Sequence, residues 1–262
     1  MEEERVSAQE CLALCELILE ILDQSQPSLS EDSENTLESL EERQVASSKI
    51  RIIKEIHRSD ASSIFETEFD GDKFAMKLFH NNGDPGFAEN GRDLNRFRCE
   101  LNAYENLRKY HVCKQGVVPY FYGYIDQVDP FAFQPALQHF VNDKFPPKAI
   151  LLEYLPNTES LNCKNYSDAR YQHAIDGMKK IHKAHVHHQD IYPKNILFVP
   201  GTPERVVWVD FDVATTFPSV GPTKSGVVNM RMPLLQSLVN SCERIKSRDF
   251  LQTQSFISAP VQ

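Results

Sequence analysis

The stretch from His187 to Asp212, "HHQDIYPKNILFVPGTPERVVWVDFD", constrains the fold more than any other part of the chain. It sets His188, Asp190 and Asn195 together, just ahead of the short apolar run "NILFV", and closes a second apolar run, "VVWV", on Asp210. Two such runs separated by "PGTPE" predict a small hairpin with Asp210 held at a buried strand end. A polar turn between strands is the plainest account of the pattern. The residue types suit a second one, a site for a metal and a nucleotide. Mg²⁺ takes oxygen ligands, one or two of them from protein, and a neighbouring carboxylate can orient a hydroxyl for attack on a phosphate.

The rest of the chain frames that stretch. Ahead of it, "SDARYQHAIDGMKKIHKAH" carries Tyr171, Ile175, Met178 and Ile181 on one face and predicts a helix. Strands are predicted at "KIRIIKEI", "IFETEF", "KFAMKLF", "VVPYFYGYI" and "KAILLEYL", the second and third turning at Asp70-Gly71-Asp72. Between them lie a loop, "HNNGDPGFAENG", and a helix over "RDLNRFRCELNAYENLRKY", with Leu94, Phe97, Leu101, Tyr104 and Leu107 at helical spacing. The expected class is therefore α+β. Residues 1–23 predict an amphipathic helix, which either packs on its own domain or docks a partner, and 24–48 an acidic, Ser- and Glu-rich linker. Residues 49–155 predict a sheet with one helix, and 156–262 a mainly helical part.

Composition removes several function classes. With 28 Lys+Arg against 37 Asp+Glu, the net charge of -9 opposes binding to nucleic acid or anionic membrane, which needs cations on phosphate. The apolar run "CLALCELILEIL" is interrupted by Glu16 and Glu20 and is shorter than the ~20 residues a membrane span needs. The acidic start "MEEER" does not suit a secretory signal. The six cysteines form no Cys-x-x-Cys pair and read as free thiols. A cytoplasmic location is expected, with the nucleus left open.

Lys77 is the second focus. Strand alternation puts it on one face with Ala75 and Phe79, opposite Phe74, Met76 and Leu78. Glu100 lies among apolar neighbours in the following helix, and a lysine held by a helix glutamate can grip the phosphates of a nucleotide.

Four of these segments together resemble the protein kinases. His188-Gln189-Asp190-Ile191-Tyr192-Pro193-Lys194-Asn195 resembles the kinase catalytic loop, Asp210-Phe211-Asp212 the Asp-Phe-Gly segment, "FAMK" the Val-Ala-Ile-Lys strand, and "LLEYLP" the hinge between lobes. The likeness covers roughly 50–216. It is closest to divergent kinase-like proteins bordering the aminoglycoside and choline phosphotransferases. It implies a two-lobed fold, a sheet-and-helix N-lobe followed by a shortened, mainly helical C-lobe, with ATP and Mg²⁺ as cofactors. It also implies roles. Lys77 contacts the α- and β-phosphates with Glu100 as its partner. Asp190 orients the acceptor hydroxyl and takes its proton. Asn195 and Asp210 hold Mg²⁺. Ile64 and Ala75 roof the adenine, Leu152 is the gatekeeper, the backbones of Glu153 and Leu155 bond the base, and His188 supports the loop.

The chain departs from the pattern in places. "HRSDASSIF" has no glycine where the family's phosphate-covering loop is glycine-rich, although Ser59, Ala61, Ser62 and Ser63 are small. Gln189 stands in place of the loop arginine, and Asp212 in place of glycine. Tyr192 occupies the position of a lysine that reaches the γ-phosphate, a role not transferred to Lys194. The stretch after Asp212 is short for a peptide-docking floor. Three functions are therefore kept: a phosphotransferase acting on Ser/Thr of protein, a kinase-like pseudoenzyme that binds nucleotide or scaffolds, and a phosphotransferase acting on a small hydroxylated molecule. His182, His185, His187 and His188 lack the companions of a zinc site.

Overall fold

The computed structural model describes residues 51–217. The helix predicted within 1–23, the linker 24–48 and a helix read into "RMPLLQSLVNSCERI" lie outside the described residues. The chain divides into two compact units, described residues 51–105 with 119–155 and described residues 106–118 with 156–217. Both combine antiparallel strands with helix, so the class is α+β.

The first unit is a five-stranded antiparallel sheet of order β1-β2-β3-β5-β4. Its strands are β1 (Arg51–Arg58), β2 (Ser62–Phe69), β3 (Asp72–Phe79), β4 (Phe121–Ile125) and β5 (Lys148–Glu153). The β2–β3 hairpin turns at Asp70 and Gly71, both at positive φ (49° and 91°). An Asp-Gly pair tolerates that backbone better than other residues do. Register then sorts the side chains into two faces. Phe74, Met76 and Leu78 of β3 join Phe65, Phe69, Ala149 and Leu151 in one apolar core. Ala75 lies opposite Leu152, and Lys77 opposite Ile64 and Ile150, on the other face.

The core face is covered by the chain's own β4–β5 connection, residues 126–147. Antiparallel neighbours need only two to five residues to turn, and this connection is far longer. It supplies Val128, Leu137 and Phe140 to the core. Its later part is stitched to the end of β3: Asp143 accepts from the His80 ring (2.9 Å) and the Asn81 amide (3.1 Å), and Phe145 N donates to Asn81 O (3.0 Å). His80 stacks on Phe140, with centroids 4.3 Å apart. On the hairpin side, the His139 Nε2 and Ser63 Oγ atoms are 2.9 Å apart.

Helix α1 runs Arg96–Lys109, shorter than the segment read from the sequence. Asn95 Oδ1 accepts from Arg98 N (3.0 Å), and Asp93 Oδ1 from Asn95 N (2.9 Å). These side-chain caps hold residues 93–95 outside the helix, and Leu94 with them. Phe97, Glu100, Tyr104 and Leu107 form its buried stripe.

In the second unit, α2 (Asp168–Lys183) starts where Ser167 Oγ accepts from Arg170 N (3.3 Å). It packs on a small sheet of order β6-β8-β9, formed by Glu159–Ser160, Ile196–Val199 and Arg205–Trp208. β7 (Val186–His187) pairs with β10 (Thr215–Thr216). Trp208 is fully buried, and its indole donates to Ala174 O (2.9 Å). Gly177 lets the helix approach that ring closely; a Cβ there would lie 3.3 Å from Trp208 Cδ1. Cys99 and Cys113 are free and buried. Cys163 is disulfide-bonded, so the reading of six free thiols does not hold for it. Among the described residues, no helix is long and apolar enough to cross a membrane.

Candidate functional site

The predicted site residues fall into two sets, one in each unit. In the first, β3 carries Lys77 and the buried stripe of α1 carries Glu100. Lys77 Nζ donates to Glu100 Oε2 at 2.5 Å, and both side chains are at most 5% exposed. Removing two charges from water costs several kcal/mol per ion, so burial at this depth depends on close pairing. Ile64, Ala75 and Leu152 share the Lys77 face of the sheet. Glu66 lies on the same face beside Ala75, and sequence reasoning missed it. Lys73 (2.6 Å) and the Tyr154 hydroxyl (2.7 Å) bond its carboxylate, and they hold its pKa down at about 2. Glu153 N donates to Tyr120 O (2.8 Å), so of that residue's backbone groups the amide is already engaged. Leu155 closes the unit.

The glycine-free turn between β1 and β2 is bonded to itself. Ser59 Oγ accepts from Ala61 N (3.3 Å) and Ser62 N (3.2 Å), while Ser59 N donates to Ser62 O (2.9 Å). Those amides point into the turn, and Ser63 Oγ meets His139. The small residues thus satisfy one another, and their amides are not presented as an open nest for phosphate.

The second unit gathers the opening stretch. His188 is fully buried; its Nε2 donates to Val209 O (2.9 Å), and its ring lies against Phe211 (4.5 Å). Burial pushes the imidazole below its ordinary pKa, so it is neutral, with its proton on Nε2. Val209 N donates to Asn195 O (3.0 Å), which ties the loop to the residue before Asp210. Asn195 gives its amide hydrogens to Asp190, to the backbone O at 2.8 Å and to Oδ2 at 2.9 Å. An amide whose nitrogen is spent this way leaves its oxygen as the acceptor. The Asn195 oxygen and the Asp210 carboxylate are the hard donors Mg²⁺ takes, and such a site needs only one or two from protein. Gln189 and Asp210 both adopt positive φ (65° and 68°), a strained backbone for these residues that clusters at functional sites. Gln189 Nε2 meets His187 Nδ1 (2.7 Å) and donates to Thr215 Oγ1 (3.4 Å), bonds made within its own unit.

Lys194, which the sequence reading gave no role, lies close to the candidate base. Its Nζ lies 3.2 Å from Asp190 Oδ2. A basic residue four positions past a candidate base was the available signal, and only the turn at Pro193–Asn195 reveals the reach. Among the described residues, no three His, Cys, Asp or Glu are grouped so that they could hold a metal ion.

The model of the lipopolysaccharide kinase (Kdo/WaaP) family matches residues 143–238. Those residues include the whole of the Asp190, Asn195 and Asp210 set. The chain is thus similar, over these residues, to a family of kinases. A serine/threonine-protein kinase of Corynebacterium glutamicum, PknA, is 30% identical to the chain over 147 residues, 55% of the chain and 28% of the relative. The chain thus spans little more than a quarter of that relative's length.

Proposed function

We propose that this chain is an ATP- and Mg²⁺-dependent phosphotransferase whose two units are the N-lobe and C-lobe of a kinase-like fold, acting in the cytoplasm. The observation that carries the reading is the buried Lys77–Glu100 pair. A buried pair is a poor stabiliser compared with apolar packing, and a caged ammonium has a use where anionic phosphates are bound. Lys77 would contact the α- and β-phosphates, with Ile64, Ala75 and Leu152 against the base and the backbone of Glu153 and Leu155 bonding it. Asp190 would take the proton of the acceptor hydroxyl at Oδ1. The hydroxyl oxygen then bonds the γ-phosphorus, the bond from that phosphorus to the bridging oxygen breaks, and ADP leaves. Asn195 and Asp210 would hold Mg²⁺, which supplies charge neutralisation on the phosphates. His188 fixes the loop through Val209.

The acceptor is a hydroxyl, in the first reading Ser or Thr of a protein. The match to a lipopolysaccharide kinase model favours a second reading, a saccharide hydroxyl. Thermal unfolding with Mg-ATP tests nucleotide use. Stabilisation of about 2.7 kcal/mol is expected at a hundredfold excess over Kd, lost in Asp210→Asn. No shift in the wild type would favour a non-catalytic scaffold. Turnover on peptide and sugar panels then separates the two acceptors.

A further inference from the structure

We infer that Glu66 is a positioning residue of the nucleotide-base site, acting through the phenol of Tyr154, an inference that rests on the phosphotransferase reading. Glu66 stands on β2 directly opposite Ala75, in the strip that Ile64, Ala75 and Leu152 would offer to the base. Its side chain is only 4% exposed. A carboxylate on such a strip is costly unless its oxygens are bonded. Oε1 accepts from Lys73 Nζ (2.6 Å) and Oε2 from the Tyr154 hydroxyl (2.7 Å), with Lys54 Nζ 3.4 Å away. Both lysine side chains are half exposed or more, and ion pairs to such groups contribute little. The tyrosine bond differs from them in what it spans.

Tyr154 follows the end of β5, and β3 lies between β5 and β2. The link between Tyr154 and Glu66 therefore passes over β3 on the Ala75 face, across two strand spacings of roughly 5 Å each. The Lys73 ammonium sits over the same ring, 5.6 Å from its centroid. Tyr154 also stands between Glu153 and Leu155, whose backbones would bond the base. Glu153 is tied to Tyr120: its amide donates to Tyr120 O (2.8 Å), and its Oε2 accepts from Tyr120 N (3.2 Å). Glu66 supplies the second tie, holding this short segment from β2 as Tyr120 holds it from the β4 side. Hydrogen bonds to a flat base weaken steeply when misaligned, and a segment held from two sides loses less freedom when the base binds.

ATP and UTP share ribose and triphosphate, so the ratio of their affinities reads the base without knowledge of the acceptor. Calorimetric titration of the full chain with Mg-ATP and with Mg-UTP is the test. The wild type should prefer ATP, whose two fused rings cover more of the strip. Tyr154→Phe removes one oxygen atom and should lose about tenfold of that preference, as expected for one charge-assisted hydrogen bond. Glu66→Leu should lose as much. Glu66→Gln keeps an acceptor for the phenol while dropping the charge, and should keep most of the preference. That split separates positioning from a purely structural ion pair, which both Glu66 variants break alike. Thermal unfolding without nucleotide checks that the variants are folded. An unchanged ratio in Tyr154→Phe, a Glu66→Gln ratio as low as that of Glu66→Leu, or a wild type with no preference for ATP overturns this assignment alone. A wild type that binds neither nucleotide overturns the phosphotransferase reading and this assignment with it.

Discussion

Lys77 and Glu100 make a sharp test because each is buried with the other. Lys77→Met takes the ammonium away from a buried carboxylate and should cost about 3–5 kcal/mol in denaturant unfolding. Lys77→Met combined with Glu100→Leu should recover most of that stability while remaining inactive. A double variant as unstable as the single one would mean the pair is not the source of the loss. Asp190→Asn should keep Mg-ATP affinity and lower kcat by about 10²–10⁴, the usual span for a general base. Single-residue identity was partly legible beforehand. Strand alternation and the helical stripe singled out Lys77 and Glu100. The reach of Lys194 and the place of Glu66 were hidden, since both depend on how a side chain crosses to another element.

Among the elements, α2 and β9 fit by a missing side chain. Gly177→Ala would add a Cβ 3.3 Å from a Trp208 ring that is fully buried and has little room to give. Despite the helix propensity alanine gains, the variant should be destabilised by about 1–3 kcal/mol. An increase in Tm would show that the interface yields. The 126–147 connection offers a second test: Phe140→Ala removes a ring wedged on the sheet core, and denaturant midpoints should report a loss of about 3–5 kcal/mol. Most strands and both helices could be read from period and turn chemistry, Asp70-Gly71 being the clearest case. The connection could not. Val128, Leu137 and Phe140 follow no helix or strand period, because they pack from irregular backbone, and periodicity is the signal a sequence offers.

At the scale of the whole molecule, stability should depend on acid through two histidines that fold neutral. Burial first, then His187 and His188, push His182 down to about 4, and burial also lowers His188. An unfolded chain binds those protons near pH ~6.5. The stabilisation is therefore complete above about 6.5 and drains away as pH falls toward 4. His182→Gln should flatten that slope in chemical unfolding measured from pH 7 to 4, by on the order of 1 kcal/mol once solvent screening is allowed for. The covered sheet face has a kinetic side as well. Strands β4 and β5 cannot zip as a tight hairpin, since a long loop must close before they pair, and that entropy is spent before its contacts return anything. The connection's contacts with β2 and β3 span still greater separations along the chain. The first unit should accordingly fold slowly around the β1–β3 meander, with the 126–147 cover settling last. Stopped-flow measurements on Phe140→Ala should then find faster unfolding and a nearly unchanged folding rate, the cover acting as a latch on a sheet already formed.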